Sequence, residues 1–80
     1  MIRYDFTRHA ERMFLRLSPN TQTQILRKLE HYLAQSDPIA FARPMEGAGP
    51  ACYRFRVGDW RVDIDREKDG GILILAVGHR

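Results

Sequence analysis

The sequence has a single cysteine, Cys52, which rules out an intrachain disulfide and any CxxC-type metal motif. It has no apolar run approaching the ~20 residues that span a bilayer, and no signal-peptide core follows Met1. There is no internal repeat and no low-complexity tract. Charge of one sign is also scarce in excess: 13 basic residues stand against 10 acidic ones, a net charge of +3 without a polybasic tail. These absences exclude a disulfide-stapled scaffold and a membrane-spanning chain, and they lead to an expectation of a cytoplasmic protein with no cofactor and no membrane partner. The basic excess permits a phosphate-rich or acidic partner without requiring one.

What is present is 80 residues of 44% hydrophobic content with one Trp, three Tyr and four Phe, enough for one small core and no second one. Residues 1–80 therefore read as a single domain. At this size a partner is expected to cover part of the apolar edge.

The most informative stretch runs from Tyr53 to Asp65. Tyr53, Phe55 and Val57 alternate with Arg54 and Arg56; Gly58 and Asp59 interrupt; Trp60, Val62 and Ile64 then alternate with Arg61, Asp63 and Asp65. A period of two describes a strand with one dry and one wet face. Gly in the first position of a two-residue connection supplies the positive φ of a II′ turn. Pairing Val57 with Trp60 puts Phe55 opposite Val62 and Tyr53 opposite Ile64 on the apolar side. The same register sets Arg56 opposite Arg61 and Arg54 opposite Asp63 on the polar side. Three guanidiniums thus share one patch, with Asp63 offsetting part of the charge. The pattern is compatible with an anion site and equally with a plain solvated face.

Ahead of this hairpin, Ile2, Tyr4 and Phe6 alternate as a short strand and Thr7 can cap a helix. Ala10, Met13, Phe14 and Leu17 form its apolar stripe. Ser18 and Pro19 supply a second cap and a proline at the first helical position. Ile25, Leu26, Leu29, Tyr32 and Leu33 mark a second helix running to about Gln35. Asp37 and Pro38 end it, a helical turn can follow within 39–44, and the Gly and Pro content of 45–50 gives a loop. Cys52, at the start of the first hairpin strand, reads as a packed core thiol. Beyond a charged turn ending in Gly70 and Gly71, the unalternating run from Ile72 to Val77 predicts a strand buried on both faces at the centre of a sheet. The order is β-α-α-β-β-β, an α+β fold with an antiparallel pair of helices on a mainly antiparallel four-stranded sheet. His9 and His31 fall on polar helical faces.

Three segments carry a resemblance to a known family: YRFRVGDWRV from Tyr53 to Val62, the lead-in RPMEG from Arg43 to Gly47, and the closing AVGHR from Ala76 to Arg80. At this spacing, behind two helices, the chain resembles the RelE/ParE toxin superfamily of bacterial type II toxin–antitoxin modules, and in particular its RelE-like branch. The resemblance implies a ribosome-dependent mRNA endonuclease that inhibits translation, with the ribose 2′-OH attacking the adjacent phosphodiester in line. It implies that Arg54, Arg56 and Arg61 surround the scissile phosphate, that Arg80 assists the leaving group, and that His79 is an acid or base. Preorganised guanidiniums suit a transition state that gains negative charge. It also implies two partners, a cognate antitoxin and mRNA on the ribosome.

The resemblance departs at two points. The RelE pattern has lysines where Arg54 and Arg56 stand, and an arginine does not give up a proton near neutrality, so the general base is left unassigned. The RelE-like branch also continues past the closing motif to a base-stacking tyrosine, whereas this sequence stops at Arg80; the expectation is a toxin domain that lacks a short C-terminal segment. Two alternatives stay open: a ParE-like inhibitor of DNA gyrase, and a catalytically weakened relative that serves as an antitoxin-binding module.

Overall fold

A computed structural model of the chain describes residues 2–47, 49 and 51–79. Alternation and turn chemistry give the local elements, and burial of their apolar faces assembles them. Strand β1 covers Tyr4–Phe6, helix α1 Arg8–Leu15 and helix α2 Pro19–Leu33; a 3-10 turn follows at Pro38–Phe41. Strand β2 is Arg43–Pro44, β3 Cys52–Val57, β4 Trp60–Arg66 and β5 Ile72–His79. The Thr7 hydroxyl accepts from the Ala10 N–H at 3.0 Å, and the Ser18 hydroxyl accepts from the Thr21 N–H at 3.2 Å. Each satisfies an N–H that the first helical turn leaves without a partner. Helix α1 stops at Leu15 rather than Leu17, because the Leu17 N–H turns back to the Phe14 carbonyl at 3.1 Å so that Ser18 can begin α2.

The sheet has five strands in the order β1-β5-β4-β3-β2, with β1 parallel to β5 and the other pairs antiparallel. The expected count of four is corrected by β2, which pairs Arg43 with Arg54 and Pro44 with Tyr53. Pro44 has no N–H for a ladder and therefore sits on the outermost strand. The β3–β4 register matches the sequence expectation pair for pair, from Tyr53 opposite Ile64 to Val57 opposite Trp60. Gly58 has φ +60° and no other residue type among the described residues has positive φ, so the connection has the sign pattern of a II′ turn, not a I′ turn.

Helix α1 lies over β5 and β1, and α2 over β3. Between helices and sheet, Ala10, Phe14, Ile25, Leu29 and Leu33 meet Phe55, Val57, Val62, Ile64, Ile72, Ile74 and Val77 in one buried cluster. Among the described residues, only one face of the sheet carries helices.

Two expectations change as a result. Strand β5 is interior but is not buried on both faces: Leu73, Leu75 and Ala76 are half-buried. Its missing alternation has another cause. The β4–β5 register shifts between Asp63, opposite Ala76, and Ile64, opposite Ile74. Leu75 is the extra residue of this bulge, so Ile72 and Ile74 face the core in one phase and Val77 in the other. Cys52 does begin β3, but it pairs with Asp65 in the row that faces away from the helices, half-buried and outside the core cluster. No helix among the described residues is long and apolar enough to cross a membrane.

Candidate functional site

The helix-free face of the sheet carries the charged rows of the hairpin. In one row β2, β3, β4 and β5 present Arg43, Arg54, Asp63 and Ala76; in the next, β3, β4 and β5 present Arg56, Arg61 and Gly78. Arginine therefore stands directly opposite arginine twice, a pairing that costs energy unless counter-charge is supplied.

Asp63 supplies it from within the sheet. It is 6% exposed and accepts from Arg54 Nε at 2.6 Å and from Arg54 Nη2 at 3.2 Å, a two-point clasp across neighbouring strands. This hydrogen-bonded carboxylate holds the Arg54 guanidinium pKa above its ordinary value, against the opposing effect of burial. Asp63 Oδ2 also lies 3.7 Å from Arg61 Nε, too far for a hydrogen bond. That Nε is buried and finds no hydrogen-bond partner among the described residues. The far end of Arg61 is held firmly: Nη1 donates to the His79 carbonyl at 2.6 Å.

Gly78 makes the second hold possible. A β-carbon there would stand 3.1 Å from Arg61 Cζ and Nη2 and 3.2 Å from Nη1. The glycine is a slot in β5 over which the guanidinium lies flat. Its backbone has no positive φ, so the space is what matters and not the conformation.

Arg54 and Arg61 lie in the wall of a groove of about 510 Å³ lined by Phe41, Arg43, Pro44, Met45, Glu46, Arg54, Arg56, Trp60 and Arg61. Four guanidiniums against the carboxylates of Asp63 and Glu46 leave the groove two charges positive. The arrangement can bind a phosphate-bearing polymer: cationic forks fixed by Asp63 and the His79 carbonyl, aromatic rings beside them, and open solvent in front.

Of the expected site residues, Arg54, Arg56 and Arg61 come together in this groove. The His79 ring is set against Trp60, edge to face at 5.1 Å between centroids, so it adjoins the groove without lining it. Arg80 lies outside the described residues. The sequence pattern assigned no part in the site to Arg43 or Phe41. The signal for Arg43 is the Gly- and Pro-rich loop itself: it joins Arg43–Pro44 to β3, and the Met45 N–H reaches the Cys52 carbonyl at 3.1 Å to close it. No group of three or more potential metal ligands occurs among the described residues.

A family model described as the ParE toxin of type II toxin-antitoxin system, parDE, matches residues 4–80. Among solved structures, the chain is similar to one in the RelBE toxin–antitoxin complex of Mycobacterium tuberculosis at 21% identity and TM-score 0.83, covering 99% of this chain and 98% of that one. The intact Escherichia coli RelBE complex gives 19% identity and TM-score 0.79, with 100% and 98% covered. The archaeal RelE–RelB complex of Pyrococcus horikoshii gives 25% identity and TM-score 0.75, with 99% and 94% covered. No curated protein sequence matches.

Proposed function

The chain belongs to the ParE toxins of type II toxin–antitoxin systems, and from that premise we propose that it is an endoribonuclease that cuts mRNA on the ribosome and so stops translation. The observation that carries this reading is the gathering of Arg43, Arg54, Arg56 and Arg61 in one groove on the open face of the sheet. A fold that sets arginine opposite arginine in two rows, with one buried aspartate bonded to Arg54 among them, gives up stability unless a polyanion fills the groove.

In the proposed reaction the 2′-oxygen forms a bond to the adjacent phosphorus while the bond from phosphorus to the 5′-oxygen breaks, leaving a 2′,3′-cyclic phosphate and a 5′-hydroxyl. The 2′-OH proton passes to a base, and a proton reaches the departing 5′-oxygen. Arg54, Arg56 and Arg61 hold the phosphate and stabilise the charge that grows on its oxygens. Arg61 suits this best, since the His79 carbonyl and the Gly78 slot fix its guanidinium before any substrate arrives. Glu46, in the groove wall, and His79, beside Trp60, are the nearby groups able to exchange the protons. Arg80 is the further candidate for the leaving-group side. A cognate antitoxin is the proposed protein partner: the similar structures are complexes of toxin with antitoxin, and the basic groove suits an acidic segment that would shut it.

A second reading is favoured by the matched family model, which is named for ParE: binding to DNA gyrase without cutting RNA. One pair of assays separates the two. Purified protein added to a translation reaction is expected to fragment the transcript and to leave gyrase supercoiling untouched. Inhibited supercoiling with intact mRNA would reverse the assignment.

A further inference from the structure

Phe41 ends the 3-10 turn with 51% of its surface exposed, one of two large apolar side chains so exposed among the described residues, and it lies in the wall of the arginine groove. Its ring is not loose. It packs at a tilt against Tyr32, at 5.7 Å and 33°, and Tyr32 stacks in turn on the fully buried Phe55 at 4.9 Å and 16°. The Tyr32 hydroxyl donates to the Arg56 carbonyl at 2.9 Å, which ties this column to the strand that carries two of the groove's arginines. An aromatic column therefore rises from the core and ends, held in position, beside Arg43, Arg54, Arg56 and Arg61.

Rings next to guanidiniums match single-stranded nucleic acid, whose bases offer π-faces and whose backbone offers phosphates at every step. The groove's 510 Å³ falls within the range of sites that enclose a small ligand, about 300–1,000 Å³. We propose that Phe41 is the base-stacking platform of the groove: an unpaired base of a single-stranded RNA lies on its ring while neighbouring phosphates rest against Arg54, Arg56 and Arg61. This rests on the RNA reading of the groove and assigns the base to a ring already held beside its arginines. The ring is pre-positioned by Tyr32, so little ordering is lost when a base lands on it.

The test uses the full chain and two labelled probes: a short 2′-O-methyl oligoadenylate, which cannot be cut because its attacking hydroxyl is blocked, and an abasic ribose–phosphate strand of equal length. Binding is followed by anisotropy and by emission of Trp60, the only tryptophan and itself part of the groove wall. Phe41→Leu removes the ring while keeping apolar bulk, and should weaken oligoadenylate binding by roughly 5- to 100-fold and leave the abasic strand unaffected. Phe41→Tyr keeps the ring and should bind oligoadenylate like the parent protein, while Arg61→Ala should weaken both strands. Phe41→Leu that binds oligoadenylate as tightly as the parent overturns the proposal, as does a parent protein that prefers neither strand or binds neither. So does a Phe41→Leu defect confined to binding of an antitoxin segment, which makes the ring a protein-docking residue. The underlying RNA reading is scored apart, by transcript cleavage on translating ribosomes: Arg61→Ala without effect there removes that reading whatever Phe41 does.

Discussion

The Arg54–Asp63 clasp fixes one guanidinium of the arginine groove, and its strength can be worked out from its surroundings. Asp63 is 6% exposed, whereas the Arg54 side chain is 45% exposed. A hydrogen bond to a charged group contributes about 1.5–3 kcal/mol when sheltered, and an exposed ion pair about 0.2–1 kcal/mol. A pair with one sheltered and one half-solvated partner falls between, at roughly 1–2 kcal/mol. Asp63→Asn keeps the shape but leaves four arginines with less counter-charge, so it should cost about 2 kcal/mol. For a domain this small that lowers Tm by roughly 8–16 °C. Urea denaturation of the parent, Asp63→Asn, Arg54→Ala and the double variant closes a cycle whose coupling should be about 1–2 kcal/mol. Transcript cleavage should fall in Asp63→Asn even though the groove has gained positive charge, because the lost element is the fixed position of the Arg54 guanidinium. Additivity within ~0.3 kcal/mol, or cleavage that rises with the added charge, would refute the reasoning.

Three further outcomes follow from particular contacts. Gly78→Val fills the slot under Arg61, where even the first added carbon stands 3.1 Å from the guanidinium; it should abolish most cleavage while costing no more than about 1–3 kcal/mol of stability, and full activity in a folded Gly78→Val protein contradicts the slot. Gly58→Ala puts a β-carbon on a residue with φ +60° and 3.0 Å from Gln24 Nε2, and its urea midpoint should show a loss of about 1–2 kcal/mol. Burial first, and then the hydrogen bond to Glu30, raise the Tyr4 phenol above its ordinary 10.0. The folded state thus holds that proton more tightly than the unfolded chain, and the contribution is intact below pH 10.0 and lost as pH climbs past it. Stability of Tyr4→Phe should fall less steeply than that of the parent between about pH 9 and about pH 11, and parallel curves would show that Tyr4 plays no part.

The hairpin was legible because two signals agreed: strict alternation on both sides of Gly58 and Asp59, and a glycine where the turn demands positive φ. That alone gave the register that brings Arg54, Arg56 and Arg61 together. The helices were legible from their stripes and from the Thr7 and Ser18 caps. Strand β2 was not, since two residues carry no period and their partners lie across a Gly- and Pro-rich loop; Arg43 was overlooked with it. The run from Ile72 to Val77 misled because a bulge at Leu75 erases alternation in the same way as burial on both faces. Cys52 was misplaced by the same kind of argument, since hydrophobic character does not say which face the helices cover. The Gly78 slot and the Phe41 column depend on contacts between elements distant in sequence, which no local pattern encodes.

The most direct measurement maps mRNA 5′ ends after the purified chain is added to a reconstituted translation reaction, with Arg61→Ala alongside. The account predicts discrete new ends bearing 5′-hydroxyls with the parent protein and none with a folded Arg61→Ala variant. Intact transcripts with the parent, or the same cleavage pattern with the variant, would contradict it.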